Sequence, residues 1–119
     1  MKHECFWDAA HACARLRIVG ELTPAQAEVL MDQLEALYVG KSKKLMLVDH
    51  TQSPQAVGRE TREVLERRGE AINYDRTGFY GMTNLNRVVA RIIVSLLGRS
   101  DRTGFFADEA EAVAWLTSE

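Results

Sequence analysis

The sequence lacks the features that mark membrane-spanning, disulfide-stabilised and nucleic-acid-binding proteins. Its 119 residues include two cysteines and two prolines, and the formal net charge is -2. Two cysteines are too few for a disulfide framework, and a nearly balanced charge produces no field that attracts a polyanion. The apolar runs are too short to cross a bilayer, and the amino-terminal residues lack the apolar stretch of a signal peptide. We therefore expect one cytoplasmic domain over residues 1–119, with no nucleic-acid partner and no membrane-spanning segment.

Strand patterns are present at five places in the chain. Apolar residues alternate with arginine over residues 14–18, which indicates a strand with one solvated face, and residues 4–8 (ECFWD) are its expected hairpin partner. Residues 44–49 (KLMLVD) form an apolar run typical of a strand buried on both faces of a parallel sheet. The near-repeats DRTGFY, from Asp75, and DRTGFF, from Asp101, lead into the last two strands.

The first helix has clear start and stop signals. Thr23, Pro24 and Gln26 combine an N-cap, a proline in the first turn and a capping-box partner. Apolar residues then recur at helical spacing until Gly40, a residue type that commonly follows the end of a helix. The pattern predicts a helix between these two signals.

The second helix is expected to follow the central strand. Ser53 and Pro54 repeat the arrangement of an N-cap followed by a proline, and Gly69 is expected to end the helix. Gly58 weakens the first turn, since glycine costs up to about 1 kcal/mol relative to alanine in a helix. The start could therefore lie later in the chain than Ser53.

Two further helices are predicted near the carboxyl terminus. Asn84 is expected to cap the run LNRVVARIIVSLLG, and Asp108 is expected to cap the last helix. A terminal helix with large apolar side chains is normally held by burying them, so we expect docking through Val113, Trp115 or Leu116. Strands that alternate with helices in this way predict an α/β fold with parallel pairing.

The repeated hexapeptide admits two interpretations. A phosphate-binding loop places its glycines between a strand and the following helix, where helix amides face the anion. Gly78 and Gly104 instead precede the aromatic strand residues, so they mark the opposite end of each strand. We favour equivalent beginnings of two strands, in which Asp-Arg-Thr-Gly supplies turn residues.

The sequence also resembles a known family. The stretches that carry the resemblance are LRIVGELT, KLMLVD, TGFYGMTNLNRVVARIIVSLLGR and FFADEAEAVAWL. The most specific pattern consists of Phe106, Asp108, Ala112, Trp115 and Leu116. In these features the chain resembles the bacterial SpoIIAA-like proteins of the STAS and CRAL-TRIO (Sec14-like) grouping. The resemblance implies a strand-helix superhelical mixed sheet of about five strands with four helices, and a non-enzymatic role in binding proteins or lipids.

The resemblance also suggests a switch at the end of the central strand. Some anti-sigma-factor antagonists change partners when a serine at the start of the following helix is phosphorylated, and the matching positions here are Asp49, Thr51 and Ser53. A phosphate at a helix N-terminus gains from free amides and the helix dipole. The Asp-Ser-Ser-Gly type of loop is replaced here by His-Thr-Gln-Ser-Pro, and Ser53 as a simple N-cap is the alternative.

The third predicted helix is apolar around much of its circumference. Ile92, Ile93, Val94 and Leu97 belong to this surface, which leaves only a narrow polar line. Three interpretations remain open: burial inside the domain, a homodimer seam, or a surface for a lipid or another small apolar ligand.

Catalytic residue patterns are weak. His50 lies near Asp49 and Thr51, which suggests a Thr-His-Asp relay. Neighbouring strand residues point to opposite faces, so Asp49 would not orient His50, and we favour the alternative that His50 is a solvated loop residue. We predict no catalytic residues and no cofactor.

The amino-terminal hairpin contains two His-x-Cys pairs, His3 with Cys5 and His11 with Cys13. Two histidines and two cysteines could hold zinc, but the spacing matches no ordinary zinc knuckle, and free thiols are the alternative. We predict no metal site.

The sequence therefore favours a binding protein over an enzyme. A protein-interaction or regulatory STAS-like domain, with another protein or a second copy as partner, is the first hypothesis. A carrier or sensor of a lipid or small apolar ligand is the second, and a phosphorylation-switched protein similar to the anti-sigma-factor antagonists is the third.

Overall fold

Strands and helices alternate in the order that the sequence pattern predicts. The computed structural model describes residues 2–53 and 57–118. The described strands are β1 Glu4–Asp8, β2 Cys13–Val19, β3 Leu45–Gln52, β4 Arg76–Tyr80 and β5 Thr103–Phe106. The described helices are α1 Pro24–Tyr38, α2 Arg59–Ile72, α3 Asn84–Leu96 and α4 Glu109–Leu116, with a short 3-10 turn at Ser100–Arg102. The α/β class and the count of five strands with four helices are confirmed for these residues.

The strands form one mixed sheet in the order β1-β2-β3-β4-β5. β1 is antiparallel to β2, and the other neighbours pair in parallel. Because side chains alternate along a strand, the two faces of the sheet carry separate cores. The first face packs against α1 and α2 through Leu16, Ile18, Met46, Val48, Leu30, Leu34 and Ile72. The second packs against α4 through Cys13, Leu45, Leu47, Ala112 and Leu116.

The two hexapeptide repeats lie side by side in adjacent strands. Gly78 pairs with Gly104 in parallel register. A Cβ atom at Gly104 would lie 3.2 Å from the Trp115 Cε3 atom, and one at Gly78 would lie 3.8 Å from the same atom. The repeats thus mark equivalent strands, as expected, but the turn assignment for the glycines is wrong, because both lie within strands. Their missing side chains let α4 approach the sheet.

The second helix differs from its predicted bounds at both ends. It begins at Arg59, with Gly58 as its N-cap, because Ser53 is held elsewhere and donates its hydroxyl hydrogen bond to the Gly20 carbonyl at 2.8 Å. The predicted first-turn residue Pro54 lies outside the described residues. The helix continues through Gly69 to Ile72, and a Cβ at Gly69 would lie 3.2 Å from the Tyr74 ring. Gly69 therefore serves a close side-chain contact and does not end the helix.

The caps of the other helices agree with the sequence in two of three cases. Thr23 and Gln26 form the predicted capping box, and the Asp108 side chain accepts a backbone hydrogen bond at the start of α4. The cap of α3 is Thr83, whereas Asn84 was expected, because Thr83 has the extended backbone and Asn84 is already helical. The docking of α4 is confirmed: Leu116 is fully buried, and Trp115 is partly buried against the second core.

Candidate functional site

A cavity separates α3 from the first face of the sheet. Its volume is about 380 Å³, within the usual range for sites that hold small molecules. The floor comes from β2, β3, β4 and β5, and the walls come from α2 and α3. Apolar lining residues include Met46, Val48, Phe79, Leu65, Ile93 and Val94. The cavity therefore offers a mainly apolar environment beneath one helix.

One side of α3 lines this cavity. Ile93, Val94 and Leu97 are lining residues, whereas Ile92 is 56% exposed and is not among them. The sequence grouped these four residues into one surface, and the structure divides them between two sides of the helix. The apolar pattern that the sequence shows around α3 thus consists of an inner side and an outer side.

The outer side of α3 is uncovered in the described part of the chain. Its exposed apolar residues are Leu85, Val88, Ile92 and Leu96, the last of which is 82% exposed. Asn86 is the only buried residue of the helix. Burial of α3 inside the domain, one of the three interpretations, therefore does not hold for the described residues.

His50 is a buried titratable residue at the cavity. It is 6% exposed, lies near the carboxyl end of β3, and its ring centroid is 5.9 Å from that of Phe79. Among residues 2–53 and 57–118, its Nδ1 atom has no hydrogen-bond partner. Burial lowers the pKa of His50 to about 4, and the negative charge of Asp49 opposes this effect only in part. The imidazole is thus neutral at pH 7.

The position of His50 follows from the length of its strand. β3 extends to Gln52, beyond the predicted end at Asp49, so His50 belongs to the strand and shares a face with Met46 and Val48. The alternative of a solvated loop histidine is therefore wrong. Period-two alternation continued past Asp49 would have placed His50 on the cavity face.

Asp49 points to the opposite face of β3. Its carboxylate accepts hydrogen bonds from the Thr51 amide at 2.8 Å, the Thr51 hydroxyl at 2.6 Å and the Arg17 Nε atom at 3.3 Å. Burial acts to raise the pKa of Asp49, but the bonds from Thr51 and the charge of Arg17 outweigh it, and the pKa falls below its usual value. The arrangement does not bring Asp49 to His50, so the Thr-His-Asp relay is not assembled.

The two candidate phosphoacceptors differ in access. Ser53 is 3% exposed, and its hydroxyl donates to the Gly20 carbonyl, whereas Thr51 is exposed and donates to Asp49. A kinase would reach Thr51 more readily than Ser53 in this conformation. Phosphorylation stays a prediction, and α2 begins too late for Ser53 to stand at its N-terminus.

The His-x-Cys pairs of the hairpin do not converge. Cys5 packs with the first core and Cys13 with the second, so their thiols lie on opposite faces of the sheet. His11 hydrogen-bonds to Asp8 through its ring at 2.8 Å, and both ring nitrogens of His3 have partners. Burial raises the pKa of each thiol to about 11, which disfavours the thiolate that binds metal. No group of three or more possible metal ligands occurs within the described ranges.

Two solved structures have a similar fold. An uncharacterised protein of the DUF3478 family with a SpoIIAA-like fold, from Shewanella loihica PV-4, superposes with a TM-score of 0.73 at 19% identity, over 96% of this chain and 91% of that one. An anti-sigma-factor antagonist (STAS) domain protein from Planctomyces limnophilus superposes with a TM-score of 0.66 at 13% identity, over 98% of each chain. No protein-family model and no curated protein sequence matches the chain.

These similarities confirm the predicted SpoIIAA-like (STAS) fold. Neither of the two proteins is described as a CRAL-TRIO protein, so that part of the resemblance stays a prediction. In the described part of the chain, no helix is long and apolar enough to cross a membrane.

Proposed function

We propose that residues 1–119 form a single non-enzymatic binding domain of the STAS type, which holds a small apolar ligand in the cavity beneath α3. The observation that carries the proposal is the cavity itself, with its volume of about 380 Å³ and its mainly apolar lining. We thus favour a carrier or sensor of a ligand over a protein-interaction domain. We also propose that the domain is cytoplasmic and uses no cofactor.

The position of α3 supports a ligand between this helix and the sheet. Ile93, Val94 and Leu97 face the cavity, and floor residues such as Val48 and Phe79 lie across from them. Apolar side chains around an unfilled volume lose dispersion contacts that a closely packed core would supply. An apolar ligand would restore those contacts and hold α3 against the sheet.

The polar groups around the cavity support binding without catalysis. Asp49 lies on the other face of β3, so it does not orient or charge His50 as a general base. The neutral imidazole is suited to a hydrogen bond with a ligand. A change of ligand occupancy that repositions α3 would give such a domain a regulatory output.

Filling the cavity should abolish ligand binding. We expect Ile93→Trp to reduce binding of the uncharged fluorophore N-phenyl-1-naphthylamine at least about tenfold, because the indole would occupy the ligand volume. Ile92→Trp is the matched control, since it places the same ring on the outer side of α3, and it should leave the affinity unchanged. Fluorescence titration measures both, and native mass spectrometry of the freshly purified wild type should detect a retained apolar molecule.

Equal fluorophore affinity for wild type and Ile93→Trp would contradict the proposal if circular dichroism shows both to be folded. A wild type that binds no fluorophore and retains no ligand would contradict it as well.

Protein docking through the outer side of α3 is a second candidate. Leu85, Val88, Ile92 and Leu96 form an exposed apolar stripe on this helix, and such stripes occur at interfaces. A second copy of the chain is the partner that we propose, since a two-fold axis would pair this stripe with itself.

Adding a charge to the stripe should separate the two copies. We expect Ile92→Glu to convert a wild-type dimer to monomers, because each interface would bury an unpaired carboxylate twice. Arg87→Glu also places a carboxylate on α3, but away from the stripe around the helix axis, and should keep the dimer. Sedimentation velocity measures the outcome, and a wild type that sediments as a monomer at high concentration would eliminate the dimer.

A further inference from the structure

His50 is a polar side chain in a mainly apolar cavity, and the described residues leave its hydrogen bonding incomplete. The side chain is 6% exposed, and within the described ranges its Nδ1 atom has no partner. A buried polar atom without a partner costs free energy, and such atoms are uncommon in folded proteins. His50 is also one of the residues that line the cavity, so a ligand held there lies against its side chain.

From this we infer that the ligand carries an uncharged hydroxyl group, which hydrogen-bonds to the imidazole of His50 while the rest of the ligand occupies the apolar cavity. The inference rests on the proposed function, because it names the chemical class of the molecule that the cavity holds. Aliphatic and aromatic alcohols have this combination of a hydroxyl group and an apolar remainder.

The chemistry of the imidazole favours a hydroxyl. A neutral imidazole has one N–H donor and one acceptor nitrogen, and the tautomer determines which nitrogen has which role. A hydroxyl both donates and accepts, so it matches either tautomer. A pure hydrocarbon would leave the buried nitrogen unsatisfied.

The charged groups around the cavity disfavour an anionic ligand. Arg62 pairs with Glu66, with 3.7 Å between Nε and Oε1, and Arg99 donates to the Tyr74 carbonyl at 2.9 Å. These are the two arginines among the described lining residues, and both are already engaged. Glu66 and Glu70 also line the cavity, so an ionised carboxylate would lose its hydration and meet two groups of its own charge there.

Three probes of similar size separate these chemistries. 1-Octanol carries the hydroxyl, 1-fluorooctane has the same number of heavy atoms without a hydroxyl, and octanoate carries a negative charge. We expect the wild type to bind 1-octanol about tenfold more tightly than 1-fluorooctane, the factor that one net hydrogen bond provides. Octanoate should bind more weakly than 1-octanol. Isothermal titration calorimetry measures the three affinities.

Two variants locate the hydroxyl site. His50→Leu should lower the affinity for 1-octanol to that for 1-fluorooctane and leave the latter unchanged. Thr103→Val is the matched control, because Thr103 also lines the cavity but lies far from His50. Thr103 is in register with Thr77, and Thr77 is in register with Met46. Met46 precedes His50 by four residues, or about 13 Å along β3. The control should keep the preference for the alcohol. Circular dichroism checks that both variants are folded.

A spectroscopic measurement keeps the inference testable if His50→Leu does not fold. In wild-type protein with nitrogen-15-labelled histidine, 1-octanol should shift the ring-nitrogen resonances of His50, and 1-fluorooctane should leave them in place. Unshifted resonances on saturation with 1-octanol would overturn the inference.

Other results overturn it in distinguishable ways. Equal wild-type affinity for 1-octanol and 1-fluorooctane would reject the hydroxyl site and leave the apolar-ligand function intact. Tighter binding of octanoate than of 1-octanol would reject the uncharged class, and loss of the alcohol preference in Thr103→Val alone would reject His50 as its site. Failure of 1-octanol, 1-fluorooctane and N-phenyl-1-naphthylamine to bind would reject the proposed function itself.

Discussion

Acidification from pH 7 to pH 4 should lower the free energy of unfolding by about 3 kcal/mol through His50 alone. Burial holds the pKa of this histidine at about 4 in the folded protein, against a reference value of 6.5. Between these two values the unfolded chain binds more protons than the folded one, so stability falls as pH falls. The contribution of the neutral His50 to the free energy of unfolding is fully present above pH 6.5 and is lost progressively as the pH falls towards 4.

Urea unfolding at several pH values between 7 and 4.5 measures this slope. His50→Leu should flatten it because the titrating group is gone, and Thr103→Val should keep the wild-type slope. The range stops at pH 4.5 to limit the contribution of Asp8 to the slope. The pKa of Asp8 is about 2 in the folded protein, so the stability that its carboxylate provides is lost mainly below this range. Identical slopes for wild type and His50→Leu would show that the imidazole is not buried in solution.

Gly81→Ala should destabilise the fold by about 2–4 kcal/mol, the sum of a backbone cost and a steric cost. Gly81 has a φ of +78°, in the left-handed region that residues with a Cβ rarely adopt. An added Cβ would also lie 3.0 Å from the Thr51 amide nitrogen and 3.1 Å from its Cα, and it would overlap the Thr51 methyl group. Backbone atoms cannot move aside as a side chain can, so β3 and the loop after β4 would have to separate.

Gly98→Ala is the matched control, because it separates the two costs. Gly98 has a similar φ of +69°, but a Cβ there would meet nothing within 4 Å. We expect a loss of about 1–2 kcal/mol from the backbone conformation alone. Thermal and urea unfolding of both variants measure the difference, and equal losses would show that Gly81 does not pack closely on Thr51.

Local sequence signals predicted the elements well where a single short pattern determines them. The bounds of β1 are as expected because it pairs with the next strand along the chain. The capping box of Thr23 and Gln26 is as expected because its hydrogen bonds join residues three apart. The start of α2 was misplaced because Ser53 bonds to Gly20, 33 residues away in the chain. Gly69 was misread because its contact with Tyr74 becomes visible only after the chain folds.

The site was less predictable than the fold. Periodicity shows that α3 is apolar on several sides, but the distance between α3 and the sheet depends on packing over the whole face. The division between Ile92 outside and Ile93 inside therefore could not be assigned from spacing alone. His50 was underestimated because three residues were missing from the predicted end of β3, although simple alternation along that strand leads to the cavity.

The similarity of the two hexapeptides means that β3 could pair with the wrong strand during folding. β3 pairs with Arg76–Tyr80, yet Thr103–Phe106 presents nearly the same residues in the same order. The chain between β3 and β5 is about twice as long as that between β3 and β4, and doubling a loop costs only about 0.6 kcal/mol of closure entropy. Chain length alone thus favours the correct partner by a factor of about three. The choice between the two strands therefore depends on contacts that differ between the copies. One is made at the last position of the repeat, where the Tyr80 hydroxyl lies 3.5 Å from Glu109 and the second copy has Phe106.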